Sequence, residues 1–147
     1  MSESICDELV VRPFEPADEE QVVDLWQRCG LVVPWNDPHQ DIAIKLTVQP
    51  DLFLVGAWKG VVVATVMAGF EGHRGWLNYL AVSPDLRRRG VGRHMVEAAQ
   101  AKLEALGCPK INLQVRKTNR GVIAFYERLG FSQDEVLSMG KRLRERG

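Results

Sequence analysis

The spacing of apolar positions alternates between a strand period and a helix period, and each change of period marks an element. Leu9 to Phe14 reads as a first strand. Asp18, with Gln21 three residues later, forms a capping box that opens a helix carrying Val22, Val23, Leu25, Trp26 and Cys29, and Gly30 is its stop. Pro34 and Pro38 break the next segment, so Asp37 or Pro38 begins a second helix bearing Ile42, Ile44 and Leu46 up to Gln49. Leu52 to Trp58 and Val61 to Phe70 are rich in β-branched and aromatic residues, and Lys59-Gly60 between them fits a tight hairpin. Glu71 to Gly75 turns the chain into Trp76 to Val82, which completes an antiparallel meander. From Val91 the positions Met95, Val96, Ala99, Leu103 and Leu106 recur with a helical period until Gly107 and Pro109 end it. Ile111 to Val115 follows as a short strand. Asn119 to Leu129 is a helix with Val122, Phe125 and Tyr126 and a stop at Gly130, and Val136 to Leu143 is a closing strand.

The predicted order is β-α-α-β-β-β-α-β-α-β. Hairpins demand antiparallel pairs and the two strand-helix-strand passages demand parallel ones, so the class is α/β, with a mixed sheet inside a three-layer α-β-α arrangement. At 147 residues with 46% apolar content, and without repeats or linker-like tracts, residues 1–147 read as one domain. Charge narrows the function. Lys plus Arg and Asp plus Glu both count 19, so the net charge is zero and nucleic-acid binding by counterion release is not expected. No apolar run approaches the roughly 18 residues of a membrane span, and the start of the chain is polar and acidic, so the reading is soluble and cytoplasmic, with no membrane partner. Cys6, Cys29 and Cys108 lack paired spacing and His39, His73 and His94 are scattered, so neither a disulfide framework nor a metal site is expected. Lys141, Arg142, Arg144 and Arg146, with Glu145 among them, read as a solvated end.

The balance fails locally. Arg87, Arg88, Arg89 and Arg93 crowd around Gly90 and Gly92, between a strand end and a helix start. A helix start leaves backbone N–H groups unpaired and carries about half a positive charge, and the two glycines let an anion approach the backbone. A Walker loop would need Lys and then Ser or Thr after the second Gly, whereas Arg93 and His94 stand there. A dinucleotide fingerprint would need Gly where Met95 stands.

What remains is R-x-x-G-x-G, filled by Arg87, Gly90 and Gly92, after Tyr79-Leu80-Ala81-Val82-Ser83-Pro84. This resembles the acetyl-coenzyme A motif of the GNAT family of N-acetyltransferases. Asn119 followed by Ala124-Phe125-Tyr126-Glu127-Arg128-Leu129-Gly130-Phe131 resembles a second block of the same family. Pro34-Trp35-Asn36-Asp37-Pro38, Gly72-His73-Arg74-Gly75 and Gly107-Cys108-Pro109-Lys110 are in addition similar to the YpeA-type bacterial subgroup.

The resemblance implies acetyl-coenzyme A as co-substrate, no metal, and a primary amine on a small molecule or peptide as acceptor; it is compatible with a homodimer. It implies that the backbone of Leu80, Ala81 and Val82 pairs with the pantetheine arm in a splay between Trp76–Val82 and Ile111–Val115. Arg87, Arg88, Arg89, Gly90, Val91, Gly92 and Arg93 would form the pyrophosphate loop, and Asn119 would touch the cofactor. The Leu80 N–H would hold the oxyanion and Tyr126 would be the general acid. The base is open, because Gln114 stands where a related subgroup has Glu. Glu71 and His73 belong to a turn, since seven extended residues, roughly 23 Å, separate His73 from Leu80. Trp35, Asn36 and Asp37 are candidates for the acceptor side together with His39, against a capping role for Asp37. Water-relayed deprotonation of an α-amine would need no strong base. A non-catalytic acyl-coenzyme A sensor stays open as the alternative.

Overall fold

The unbroken apolar run at Val61–Phe70 becomes the long central strand, and the layers covering it set the architecture. The computed structural model describes Ile5 to Arg144; Glu145 and Arg146 of the basic tail lie outside the described residues. Five strands follow one another across the sheet: β1 (Val10–Pro13), β2 (Phe53–Trp58), β3 (Val61–Phe70), β4 (Gly75–Val82) and β5 (Ile111–Asn112). β1 to β4 pair antiparallel, whereas β5 is parallel to β4. The helices are α1 (Ile5–Glu8), α2 (Glu19–Arg28), α3 (Pro38–Lys45), α4 (Val91–Ala105) and α5 (Arg120–Arg128). One compact unit runs to Leu113 and holds the whole sheet with α1 to α4; a second begins at Gln114 and holds α5.

In the first unit, Lys59 (φ 52°) and Gly60 (φ 79°) both take the left-handed conformation that a two-residue hairpin turn requires. β3 is buried from Val62 to Ala68 because both faces of the sheet are covered. On one face Val22 and Trp26 of α2 and Ile42 of α3 pack with Phe53, Val55, Val62 and Met67, and Phe14 stacks on Phe53 at 4.6 Å. On the other, Met95, Val96, Ala99 and Leu103 of α4 are almost fully buried. α4 closes so tightly that a Cβ on Gly56 would lie 2.9 Å from Met95 Sδ. The expected three-layer α/β arrangement is present.

Five local expectations need correction. The capping box at Asp18 and Gln21 does not form: the chain enters α2 through a 3-10 turn at Pro16–Asp18, and Gln21 turns its side chain to accept the Val62 N–H at 2.9 Å. Leu106 lies beyond the end of α4 and is 51% exposed. α3 ends at Lys45 with Ile44 facing solvent, and β5 ends at Asn112 rather than Val115. Val136 to Leu143 contains no strand, and Val136, Leu137, Met139 and Leu143 are 77 to 90% exposed. A strand is stabilised by cross-strand pairs, and α5 is the sole regular element described in that unit, while Gly140-Lys141-Arg142 interrupts the apolar alternation.

Asp18 instead bridges elements. Its carboxylate accepts from Arg12 Nη1 at 2.8 Å, Arg12 Nη2 at 3.0 Å and the Glu15 N–H at 2.9 Å. The Arg12 bond, ahead of burial, which opposes it, holds the carboxyl below its ordinary value. A depressed folded pKa contributes stability that is present above the unfolded value of about 3.9 and is lost as pH falls through the folded one. Asp18→Asn should cost about 2 kcal/mol at pH 7, and the gap from wild type should narrow on acidification below about pH 4. Urea unfolding at both pH values measures this.

Among the described residues no helix is long and apolar enough to cross a membrane, and no group of three or more His, Cys, Asp or Glu could hold a metal ion.

Candidate active site

β4 is eight residues long, yet β5 pairs with it only at Gly75 and Trp76, so the sheet opens beyond that point. This is the predicted splay, with β5 shorter than expected. Ser83 donates its N–H to Val63 O at 2.8 Å, which directs alternate residues Ser83 and Ala81 toward β3 and Val82 and Leu80 toward the open edge. Of the three pantetheine candidates, Ala81 therefore turns its backbone groups to β3, and its side chain is buried in the cluster with Trp26 and Phe53. The pairing with β3 also slips. Thr65 faces Ala81 and Met67 faces Asn78, leaving Val66 opposite both Tyr79 and Leu80, a bulge in which Tyr79 has φ 53°. A bulge in the middle of a strand re-aims the groups beside it.

The open edge leads into the arginine loop. After a 3-10 turn at Pro84–Leu86 with Leu86 buried as its anchor, Arg87, Arg88 and Arg89 are all exposed, and Arg88 (φ 64°) and Gly90 (φ 84°) are left-handed. Gly90 is the N-cap of α4, and the first backbone bond of that helix is His94 N–H to Gly90 O at 3.0 Å. The amides of Val91, Gly92 and Arg93 thus head the helix, whose first turn holds no acidic residue. Arg93 leans on Glu97 at 3.5 Å in an exposed pair that holds it only weakly. Backbone amides left without helical partners at a helix start, close in sequence to four arginines, form an arrangement that can hold a multiply charged anion.

The C-terminal end of α2 fastens the strand end. Arg28 Nη1 donates to Ser83 Oγ at 3.2 Å, and the Cys29 thiol donates to Val82 O at 3.3 Å. Neither contact is visible in the local sequence, because each depends on how α2 lies across the sheet.

The acceptor-side candidates separate. Trp35 is 51% exposed, and Asn36 closes a turn by donating its N–H to Val33 O at 3.1 Å. Asp37 caps α3, accepting from the N–H groups of His39 at 3.0 Å and Gln40 at 3.3 Å. His39 Nδ1 lies 2.6 Å from Glu19 Oε2 in an exposed pair. Sequence reasoning missed the neighbouring Tyr79 and Asp41. Tyr79 OH donates to Asp41 Oδ2 at 2.5 Å, and its ring stacks on Trp26 at 3.8 Å. Burial first, then the Asp41 bond, raises the phenol well above its ordinary value. Glu71 and His73 are in the β3–β4 turn as expected: Glu71 Oε1 accepts from the N–H groups of His73 and Arg74, which lowers the Glu71 pKa.

In the second unit Asn119 caps α5, its side chain accepting the Val122 N–H at 3.3 Å. Tyr126 is 8% exposed between Phe125 and Phe131, which meet its ring edge-on at 5.0 and 5.4 Å. That burial pushes its phenol up to about 12, so it is a protonated donor at neutral pH. The Gln114 amide donates to Ser138 Oγ.

The profile of the "Acetyltransferase (GNAT) family" matches residues 19–131. An acetyltransferase of Sodalis glossinidius, SG1711, is 51% identical over 92% of this chain and 96% of its own length. Among solved structures, Ard1 from Thermoplasma volcanium superposes with a TM-score of 0.77 at 25% identity, over 85% of this chain and 83% of that one. AAC(6')-Iy, in complex with a bisubstrate analogue, CoA-S-monomethyl-acetylneamine, superposes at 0.73 and 20% identity, over 91% and 98%, and so shares the fold. With the family profile spanning most of the chain and a relative this similar over nearly its whole length, the protein belongs to the GNAT family of acetyltransferases.

Proposed function

We propose that the protein transfers an acetyl group from acetyl-coenzyme A to a primary amine by direct attack on the thioester, with residues 1–147 working as one domain. The observation that carries the reading is the continuity of two features along one stretch of chain. The open edge of β4 offers Leu80 and Val82 to the pantetheine amides, and it runs straight into the arginine-flanked start of α4, suited to the pyrophosphate. The coenzyme A analogue bound by AAC(6')-Iy, a protein of the same fold, supports the donor. SG1711 carries the name acetyltransferase, which favours a catalytic over a sensing role.

On this reading the amine nitrogen bonds to the carbonyl carbon and the oxygen gains charge that the Leu80 N–H holds. The C–S bond then breaks, and the departing thiolate takes a proton from Tyr126. The proton lost by the new amide passes to water, and water returns one to the Tyr126 phenolate, so the enzyme is regenerated. Asn119, Arg87, Arg88, Arg89, Gly90, Val91, Gly92 and Arg93 serve binding. Trp35, Asn36 and Asp37 border the acceptor side, with Asp37 acting through its cap on α3.

The test is a screen of amines, amino acids, peptides and aminoglycosides for thiol release from acetyl-coenzyme A. At least one class should accelerate release well above the rate in buffer. Coenzyme A binding without acceleration by any acceptor would favour the sensor instead.

A further inference from the structure

We propose that Tyr79 and Thr65 are positioning residues that aim the Leu80 N–H out of the sheet; the inference rests on the reading of Leu80 as the oxyanion donor. Tyr79 occupies the left-handed region at φ 53°, in a bulge within a strand, where a bulky side chain persists only if its surroundings hold it there. Three contacts do so. Its ring stacks on Trp26 at 3.8 Å and 13° between planes. Its hydroxyl donates to Asp41 Oδ2 at 2.5 Å. Its carbonyl accepts from Thr65 Oγ1 at 2.8 Å.

The third contact decides direction. The Tyr79 carbonyl and the Leu80 N–H belong to one planar peptide unit, and no cis peptide occurs among the described residues, so the two groups point oppositely. A carbonyl pinned to Thr65 on β3 therefore turns the Leu80 N–H away from β3. Thr65 is itself locked: its hydroxyl accepts from Trp26 Nε1 at 2.9 Å, and both side chains are fully buried. The single hydroxyl proton goes to the Tyr79 carbonyl while Trp26 occupies a lone pair, so the ring Trp26–Thr65–Tyr79–Trp26 closes on itself. Asp41 adds an anchor from α3, tying the bulge to the helix beside the acceptor-side loop. A donor fixed before substrate arrives need not reorganise when charge develops on the oxygen.

The experiment reads the donor directly, as the infrared carbonyl frequency of carbonyl-13C-labelled acetyl-coenzyme A bound to the full chain. Acetyl transfer to hydroxylamine, used as a generic nucleophile, is followed alongside. Wild type should lower the carbonyl frequency below that of the free thioester in buffer. Thr65→Val should lose most of that lowering and about tenfold in kcat, with KM for acetyl-coenzyme A within about twofold, and Thr65→Ser should restore both. Tyr79→Phe keeps the stack on Trp26 and loses only the Asp41 anchor. It should lose part of the lowering while remaining folded with a Tm lower by a few degrees, and it serves alone if Thr65→Val does not fold. An unmoved frequency in Tyr79→Phe, with Thr65→Val also unmoved where it folds, overturns the positioning role while leaving Leu80 in place. Wild type that binds acetyl-coenzyme A without lowering its carbonyl frequency removes the Leu80 reading and this inference with it.

Discussion

Gly90→Val should abolish the thermal stabilisation that coenzyme A gives the wild-type chain while leaving a folded protein. At a ligand concentration a hundredfold over Kd, binding contributes about 2.7 kcal/mol, an upward shift of several degrees in Tm. Gly90 has φ 84°, where a β-branched residue costs about 1 to 2 kcal/mol. A Cβ there would meet Cys6 Sγ at 3.6 Å, an ordinary contact, so packing tolerates the added atoms. The helix start does not: relaxing Gly90 out of the left-handed region re-aims the amides that head α4, and the valine side chain stands in the path of the anion. Gly60→Val is the matched control. It has φ 79° with nothing within 4 Å of its Cβ, in the β2–β3 turn, so it should lower Tm comparably and keep the coenzyme A shift. Differential scanning fluorimetry of the three proteins with and without coenzyme A decides the matter. A retained shift in Gly90→Val would remove the loop from the binding site.

Tyr126→Phe should lower kcat by about a hundredfold or more with any accepted amine, and change KM for acetyl-coenzyme A by less than about twofold. The substitution removes one oxygen from a ring held by Phe125 and Phe131, so the fold should survive. Burial raises this phenol to about 12, against an ordinary thiol value of about 8.5. The proton is therefore present throughout the neutral range, and its transfer depends on the charge developing on sulfur. Because the shift is upward, the acid form is lost only as pH approaches 12. The wild-type rate should rise with pH as the acceptor amine deprotonates, without an alkaline downturn below about pH 11. A steady-state pH profile of both proteins measures this, and a Tyr126→Phe enzyme with wild-type kcat would exclude the phenol from the proton path.

The structure sorts the sequence reading by the range of the forces involved. The β2–β3 hairpin was legible because Lys59-Gly60 answers a local backbone demand, and the buried positions of α4 were legible because a helix facing a sheet repeats its contacts every three or four residues. The arginine loop was legible as exposed charge at a helix start because R-x-x-G-x-G combines charge and bare backbone within a few residues. Asp18 and Gln21 were misread because both side chains satisfy partners outside their helix, at Arg12 and Val62. The expected closing strand failed for a related reason: alternation over Val136 to Leu143 names a face, but a strand exists only where a neighbour accepts its hydrogen bonds.

Sequence by itself determined the succession of elements from β1 through α5, the arginine-glycine loop and the two family blocks, since propensity, turn chemistry and motif act over neighbouring residues. Tertiary structure decided the slip that sets Val66 opposite both Tyr79 and Leu80, and the pinning of the Tyr79 carbonyl by Thr65. It also brought Arg28 and Cys29 onto the end of β4, and Asp41 onto Tyr79. Register is a property of two strands and of the helices laid across them, so the direction of one amide in β4 is written in residues from α2, α3 and β3.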